Sequence, residues 1–261
     1  MKKTEVTGGS AVQSIDRAFH IIEMLADQPD GLGLTELAKR VELHKSTAHR
    51  LLLALIHHGY IEQDPISSVY RLSLKMYEIG SKIIDDLALN EVARPLLTAL
   101  KESVNEVVHL VIRDDIEIMY IDKVEADNKI RMHSRIGARS PLYCTSAGKA
   151  MMAFMPEQEI ASIWQRSPIQ KLTIHTITDL EKMKEELCQI RQRGYAIDDE
   201  ENELGIRCVG APIFNYRDEV IAAISISGPT LRVTPERVAA FGEAVMATGR
   251  LISRKIGHRI K

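Results

Sequence analysis

Long hydrophobic runs are missing from this sequence. Its uncharged apolar stretches, such as Leu51 to Ile56, are far shorter than the roughly 20 residues that a membrane-spanning helix requires. The lysines at positions 2 and 3 are not followed by an apolar stretch, so a secretory signal is not expected either. The sequence therefore predicts a cytoplasmic protein without a membrane partner.

Cysteine is scarce, and the three residues of this type, Cys144, Cys188 and Cys208, form no CxxC pair. An odd number of widely separated cysteines argues against a disulfide framework and a zinc ribbon, so we expect buried thiols and no metal site. An excess of positive charge is also missing, because the formal net charge is -2. Binding to nucleic acid would therefore require a local cluster of basic side chains.

The length and composition indicate a globular protein of two domains. The chain has 261 residues, of which 45% are hydrophobic and 27% are charged, and this length suits a small domain joined to a larger one. Polar residues 1–13 predict a flexible tail. The residue pattern then predicts a first domain at 14–74, a linker helix at 75–90 and a second domain at 91–261.

Three amphipathic segments and two short alternating ones predict a winged helix-turn-helix at the N-terminal end. The second helix opens at Thr35, whose hydroxyl can cap it, and the third runs from 44 to 58 and ends at Gly59. Segments 60–63 and 69–72 alternate as the strands of a hairpin do. The first helix starts near Ser14, and we expect its buried face to consist of Ile15, Ala18, Phe19, Ile22 and Leu25.

The third helix, within the stretch HKSTAHRLLLALIHHGY, has no acidic residue between Leu43 and Ile61. At 100° per residue its apolar residues fall on one side, and its basic and hydroxyl residues gather at the N-terminal end of the other. A DNA recognition helix needs this arrangement, although a solvated helix with a basic face would look the same in isolation. The preceding short helix and the following hairpin favour DNA binding.

The polar face of this helix supplies the candidate DNA contacts. Arg50 suits a guanine, Lys45 a guanine or a phosphate, and hydroxyls either a phosphate or a base. The positive end of the helix dipole also favours a nearby phosphate. The full set of candidate DNA-binding residues is Thr35, Lys45, Ser46, Thr47, His49, Arg50 and Arg71.

The remainder of the chain predicts an α+β domain built on an antiparallel sheet. The periodicity changes repeatedly between two residues, typical of strands, and about four, typical of helices. The predicted strands are 107–113, 116–124, 130–132, 206–213 and 220–226, and the predicted helices are 146–155, 156–165, 179–193 and 234–256.

Four stretches resemble the IclR family of bacterial transcription regulators, and the similarity extends from about Ala11 to Gly257. They are LTELAKRVELHKSTAHRLLLALIHHGYIEQ, RIGARSPLYCTSAGKAMMAF, GYAIDDEENELGIRCVGAPIF and AAISISGP. The stretch IRMHSRIGARSPLY is most similar to the regulators of 2-keto-3-deoxygluconate and related sugar-acid catabolism.

This resemblance implies a winged helix-turn-helix joined by a linker helix to a GAF/profilin-like effector-binding domain. It further implies homodimers, often paired into tetramers, that bind palindromic double-stranded DNA operators and frequently repress transcription. The expected effector is a small organic acid or sugar acid, and no cofactor is expected.

The family's effector pocket, carried over by resemblance, falls on Ser146, Ala147, Asp198, Cys208, Ser225 and Ser227, to which Met132 and Ile206 are added as candidates. Family members often have Gly or Ala where Ser146 stands, so the bottom of this pocket is expected to be more polar.

The residue chemistry agrees with an acid-binding pocket but leaves alternatives open. The amides of Ser146, Ala147 and Gly148 begin a helix and could face a carboxylate, or the hydroxyls here simply cap the helix. Ser225 and Ser227 share one face of a strand, where they could bind a polar ligand or hydrogen-bond to the backbone.

Three other features of the sequence give weaker indications of function. Five of the six residues from Asp198 to Glu203 are acidic, which predicts a solvated loop with Asp198 alone turned inward, since a cation site would need EF-hand spacing. Arg131, Arg135 and Arg139 suggest a basic surface strip more than a steering path for an anion. Cys208 has no evident His neighbour, so no catalytic residue is expected.

The sequence leaves three functional hypotheses open. The first is a transcription factor gated by a ligand that its second domain binds. The second is an enzyme with a DNA-binding appendage, using Cys208 or the acidic loop. The third is a constitutive architectural DNA binder, which would show no response to small molecules.

Overall fold

The computed structural model describes residues 13–85, 88–128 and 134–258. The chain divides into two compact units, Met1–Ile83 and Ile84–Lys261. The predicted strand at 130–132, with the candidate effector residue Met132, lies outside the described residues. The finer limits, 14–74, 75–90 and 91–261, remain a prediction.

The first unit consists of three helices followed by a two-stranded antiparallel hairpin and the start of a further helix. This order confirms the predicted winged helix-turn-helix. The elements are α1 (Gln13–Ala26), α2 (Leu34–Arg40), α3 (Lys45–His57), β1 (Ile61–Gln63), β2 (Tyr70–Leu72) and α4 (Lys75–Asp85).

Two tight turns set the direction of α3. Glu42 adopts a positive φ of 54°, and the amide of Leu43 donates to the carbonyl of Ala38, so the chain reverses between α2 and α3 within a few residues. At the other end Gly59, with φ of 78°, stops the helix in a left-handed conformation that glycine adopts without strain. The N-terminal end of α3 is thereby held at the surface of the unit.

Two expectations about this unit were wrong. Gly33, not Thr35, is the N-cap of α2, and it makes no side-chain cap; Thr35 lies exposed in the first turn. The expected core face of α1 was wrong in part: Leu25 is buried and Ala18 and Ile22 pack against the core, but Ile21 is buried as well, and Ile15 and Phe19 are 51% and 58% exposed. The periodicity could not distinguish these faces, because α1 is apolar on more than one side.

The second unit is built on a six-stranded antiparallel sheet of order β5-β4-β3-β8-β7-β6. This architecture confirms the predicted α+β class. Its elements are α5 (Ala88–Val104), β3 (Val107–Asp114), β4 (Glu117–Val124), β5 (Arg139–Pro141), α6 (Ser146–Met152), α7 (Glu157–Arg166), α8 (Leu180–Arg193), β6 (Ala196–Asp199), β7 (Ile206–Phe214), β8 (Val220–Pro229) and α9 (Pro235–Lys255).

Helices cover both faces of this sheet. Strand residues that alternate along β8, such as Ile224 and Ile226, point into an apolar core with α5 and α9. The opposite face, which includes Ala223, packs against α6 and α8. Because side chains alternate between faces, Ser225 and Ser227 lie on the α6 side. The edge strands β5 and β6 were missed by the sequence pattern.

Within the described ranges, no helix is long and apolar enough to cross a membrane.

Candidate functional sites

The exposed surface of α3 carries the predicted basic and hydroxyl side chains. Lys45, Ser46, His49 and Arg50 are exposed and Thr47 is half-buried. The opposite side of the helix, formed by Ala48, Leu52 and Leu55, is buried in the core of the first unit. The separation into two faces that the sequence predicted is therefore present.

Within the described part of the chain, no neighbouring acid neutralises the cations on α3. Among the described residues, no carboxylate forms an ion pair with Lys45 or Arg50, and the first turn of α3 contains no acidic residue. By contrast Arg40 on α2 is paired with Glu36 at 2.8 Å. The N-terminal turns of α3 thus present positive charge and hydroxyls to an approaching phosphate or base edge.

Arg71, on β2, is engaged within the hairpin. Its Nη2 lies 2.7 Å from Oδ2 of Asp64, and its Nε lies 3.6 Å from Oε1 of Glu62. Hydrogen bonds from Ser67 are the main reason that the pKa of Asp64 is lowered, so this carboxylate stays ionised. A contact between Arg71 and DNA remains a prediction, and its charge would be shared with these acids.

A cavity of about 50 Å³ lies between α6 and the sheet of the second unit. Seven of the eight predicted effector residues line it, and the eighth, Met132, is outside the described residues. We call it the effector cavity. The predicted residues in its wall are Ser146, Ala147, Asp198, Ile206, Cys208, Ser225 and Ser227.

Strand register brings residues that are distant in sequence to one wall of the effector cavity. Asp198 on β6 lies opposite Cys208 on β7, which in turn lies opposite Ser227 on β8. In the adjacent row, Ser225 lies opposite His109 on β3. The wall is therefore a patch of polar side chains on the α6 face of an otherwise apolar sheet.

His109 is a site residue that the sequence reasoning missed. Its Nε2 lies 2.7 Å from the hydroxyl of Ser134, and its Nδ1 lies 3.5 and 3.4 Å from the hydroxyls of Ser225 and Ser227. Burial, helped by the nearby charge of Lys123, lowers the pKa of His109 to about 3, so the ring is neutral. A polar residue within the apolar strand VVHLV was the available signal.

Tyr120 also lines the effector cavity and was not predicted. Its ring packs edge-on against the ring of His109, with 5.0 Å between centroids, and burial raises its pKa to about 12. The phenol therefore remains protonated. Together with His109 it gives the cavity an aromatic side.

The start of α6 combines capping with cavity lining. The hydroxyl of Thr145 accepts the amide hydrogen of Gly148 at 3.2 Å, so Thr145 caps the helix and that amide is already used. Of the two alternatives that the sequence left open, capping therefore applies to the Gly148 amide. Ser146 and Ala147 are buried and line the cavity, and their contact with a carboxylate remains a prediction.

Gly210 allows α6 to approach the sheet closely. A Cβ atom at this position would lie 2.8 Å from the carbonyl carbon of Ser146 and 2.9 Å from the amide nitrogen of Ala147. Both are backbone atoms, which cannot rotate away. Glycine on β7 thus fixes the distance between the helix start and the polar wall.

Gly210→Ala is therefore expected to lower the free energy of unfolding by about 1–3 kcal/mol, the usual cost of overpacking, and to weaken effector binding. Urea denaturation monitored by circular dichroism measures the first effect. Gly80→Ala is the matched control, since a Cβ there meets nothing within 4 Å, and it should not destabilise the protein. Unchanged stability of Gly210→Ala would contradict the close approach.

The acidic segment that begins at Asp198 is only partly solvated. Asp198 and Asp199 belong to β6, and Glu201 is buried and pairs with Lys149. The expectation that Asp198 alone turns inward was wrong, because Lys149 lets a second carboxylate be buried. Asp198 accepts the amides of Glu201 at 2.8 Å and Asn202 at 3.3 Å, yet burial raises its pKa to about 7.

The cysteines do not form a reactive site. Burial raises the pKa of Cys208 well above its ordinary value, with a further contribution from the charge of Asp198, so the thiolate is disfavoured. Cys144 is buried, whereas Cys188 is exposed, which corrects the expectation that all three are buried. In the described ranges no cluster of three or more His, Cys, Asp or Glu side chains could hold a metal ion.

Two of the three positions of the predicted basic strip, Arg135 and Arg139, lie within the described residues, and both are exposed. Arg131 lies outside the described residues, and Arg139 pairs with Asp114, with 2.9 Å between Nε and Oδ2. A role in steering an anion therefore gains no support from these positions.

Comparisons with known proteins agree with this geometry. The family model for the IclR helix-turn-helix domain matches residues 14–65, and the model described as bacterial transcriptional regulator IclR C-terminal matches residues 81–254. The second match alone spans more than half of the chain.

Two relatives from Escherichia coli (strain K12) are 36% identical to this chain. The HTH-type transcriptional regulator XynR aligns over 95% of this chain and 98% of its own length, and KdgR over 95% and 94%. The crystal structure of Thermotoga maritima IclR matches with a TM-score of 0.85 and 33% identity, covering 94% of this chain and 99% of that one. The chain therefore belongs to the IclR family of bacterial transcriptional regulators, as its sequence motifs predicted.

Proposed function

We propose that this protein represses a carbon-catabolism operon and that a small organic acid or sugar acid in the effector cavity changes its affinity for operator DNA. One observation carries this proposal. The same chain contains a cavity walled by buried serines, His109 and Asp198, and also exposes a basic helix. The hydroxyls of Ser225 and Ser227 already face Nδ1 of His109, and a hydroxyl has further hydrogen-bonding capacity that a polar ligand can use.

The DNA contact is proposed at the N-terminal turns of α3. Lys45 and Arg50 are exposed and carry positive charge that no acid neutralises among the described residues. Ser46 and Thr47 add donors that can reach phosphates or base edges. Thr35 and Arg71 extend the proposed footprint onto α2 and the hairpin.

A palindromic operator requires a two-fold symmetric protein, and we propose a homodimer or a dimer of dimers. The exposed apolar face of α1 supports this proposal, because Ile15 and Phe19 lie beside Leu51 and Met76 along a groove of about 520 Å³. Exposed apolar patches of this kind mark protein–protein contacts. Sedimentation equilibrium gives the mass, and a monomer at all concentrations would refute the proposal.

The walls of the effector cavity favour a small acid. Its volume of about 50 Å³ corresponds to only a few water molecules. His109, Ser225 and Ser227 offer hydrogen bonds to hydroxyl or carbonyl oxygens, and neutral groups of this kind bind an acid without repelling it. A ligand of few carbon atoms therefore fits best.

A fluorescence anisotropy titration of operator DNA, repeated with a panel of hydroxy, keto and sugar acids, tests the proposal. At least one acid should change the DNA affinity of the wild type. The Ser225→Ala/Ser227→Ala variant should bind DNA normally and lose this response. DNA affinity that no acid alters would instead support the architectural DNA binder.

Effector affinity is expected to fall as the pH rises above about 7. Asp198 lines the cavity, and its pKa of about 7 makes it neutral below that pH and negative above it. An anionic effector therefore binds the protonated form, and its affinity should drop by up to about tenfold per pH unit on the alkaline side. Calorimetry from pH 6 to pH 9 measures this slope.

The control for this pH dependence is Asp198→Asn, which should bind the acid with an affinity that hardly changes over the same range. His109 cannot produce the effect, since its pKa is about 3 and it stays neutral. Affinity that rises with pH in the wild type would show that the effector does not lie beside Asp198.

We also propose that the chain acts in the cytoplasm and catalyses no reaction. Of the two forms of the enzyme hypothesis, the one that uses Cys208 needs a thiolate, which burial disfavours, and a base such as His109, whose low pKa makes it a poor one. The one that uses the acidic loop is disfavoured because Glu201 is already paired with Lys149. Turnover of a candidate acid that is lost in Cys208→Ala would overturn this view.

A further inference from the structure

A second and larger cavity lies at the open edge of the sheet, away from the effector cavity. It measures about 470 Å³ and shares no lining residue with the effector cavity. We call it the α9 cleft. Its chemistry is set by six of its lining residues, namely Phe154, Arg191, Phe214, Met246, Arg250 and His258.

The cleft exists because β6 is shorter than β7. Strand β6 pairs only with residues 207–210 of β7, so the segment from Ala211 to Phe214 has no strand on that side among the described residues. Proline at position 212 has no amide hydrogen, and the amide of Phe214 donates to Ser253 at 2.9 Å. The edge is therefore not prepared for an added peptide strand, and a small molecule is the better occupant.

Aromatic rings form one side of the α9 cleft. The rings of Phe154 and Phe214 meet edge to face with centroids 5.1 Å apart, and His258 stacks on Phe214 at 5.4 Å. Met246 closes the floor against Gly194, where a Cβ atom would lie 2.4 Å from its sulfur. Such a surface suits a flat apolar ring.

Two arginines, Arg191 and Arg250, line the cleft, and no acidic residue of the described chain does. In the part of the chain that the structure describes, neither arginine forms an ion pair; the Nε of Arg191 donates to the carbonyl of Ala153. His258 is held from outside by Asp218, with 3.0 Å between Nε2 and Oδ1. Guanidinium groups bind carboxylates through paired hydrogen bonds.

We propose that the α9 cleft is a second ligand site that binds an aromatic monocarboxylate, with the ring against Phe154, Phe214 and Met246 and the carboxylate between the two arginines. The volume falls within the range of small-molecule sites, about 300–1,000 Å³. This site is separate from the effector cavity, so it stands or falls independently of the proposed function.

NMR of the full chain with labelled methionine and isoleucine methyl groups tests this proposal, with benzoate as the probe and Met246→Leu and Ile118→Val to assign the two resonances. Benzoate should shift the Met246 methyl signal saturably and show NOEs from its ring protons to that methyl group. The neutral analogue benzamide should bind at least about tenfold more weakly, because it lacks the charge-assisted contacts.

Arg191→Gln and Arg250→Gln should each weaken benzoate binding by about fivefold or more. The expected effect is moderate because both arginines are exposed to solvent. Arg237→Gln, near the N-terminal end of α9 and outside the cleft lining, is the matched control and should leave binding unchanged. Equal binding of benzamide, or benzoate binding that neither arginine variant weakens, would indicate an adventitious additive only. Either result would overturn the proposal.

Two further outcomes would also overturn it. NOEs from benzoate to Ile118 but not to Met246 would place the ligand in the effector cavity. A lower oligomer mass for Phe154→Ser in sedimentation equilibrium would show that another copy of the chain covers the cleft.

Discussion

Lys149→Ala is expected to lower the free energy of unfolding by about 3–5 kcal/mol, the usual cost of leaving one member of a buried ion pair without its partner. The side chain of Lys149 is only 1% exposed and that of Glu201 is 8% exposed. The Nζ of Lys149 binds Oε1 of Glu201, while Oε2 has no hydrogen-bond partner among the described residues. Urea denaturation at pH 7 measures the loss.

The loss of stability in Lys149→Ala should grow as the pH rises. Burial raises the pKa of Glu201, and Lys149 is the main influence that opposes this shift. Without the lysine the acid is tolerated when protonated, so folding is less impaired at low pH and more impaired once the carboxylate ionises. Glu186, whose Oε1 lies 3.8 Å from Nζ of Lys149, cannot compensate, because it is also an acid.

Two variants show whether the unpaired buried charge is responsible for the loss of stability. Lys149→Met/Glu201→Leu removes both charges and should recover most of the lost stability. Lys184→Ala breaks an exposed pair with Glu181 and should cost less than about 1 kcal/mol. If Lys149→Ala is no worse than Lys184→Ala, the pair is not buried as described.

Arg50→Ala is expected to reduce the preference for operator over unrelated DNA by about 5–150-fold, equivalent to about 1–3 kcal/mol for a bidentate contact with guanine. The exposed guanidinium has no ion pair among the described residues and lies near the N-terminal end of α3. Fluorescence anisotropy with specific and nonspecific duplexes at a fixed salt concentration measures the ratio.

Lys45→Ala provides the matched comparison. If Lys45 contacts a phosphate, its loss should weaken binding to both duplexes alike. The slope of the logarithm of DNA affinity against the logarithm of salt concentration should then become less steep by about one. Arg40→Ala on α2 should change little, because Arg40 is paired with Glu36. A specific-to-nonspecific ratio equal to that of the wild type in Arg50→Ala would rule out base recognition by this residue.

Features that depend on neighbouring residues in the chain could be predicted from the sequence. The two faces of α3 follow from a period that any helix obeys, and the long strands follow from apolar residues with β-forming side chains. Motif resemblance placed candidate effector residues on six positions, and Ile206 was added as a candidate; the structure brings all seven around one cavity.

Features that depend on partners distant in sequence could not be predicted. Acidic residues are poor strand formers, so β6 with Asp198 and Asp199 was expected as a loop. Glu201 is buried because Lys149, 52 residues earlier, neutralises it. His109 was visible as a polar residue in an apolar strand, but its partners depend on the pairing of β3 with β8.

The neutral ring of His109 joins hydroxyl groups on both sides, Ser134 at Nε2 and Ser225 and Ser227 at Nδ1. A neutral imidazole has one donor and one acceptor, and hydroxyl hydrogens rotate, so the whole chain of hydrogen bonds can reverse its direction by a change of tautomer. The same wall can then accept from an alcohol or donate to a ketone.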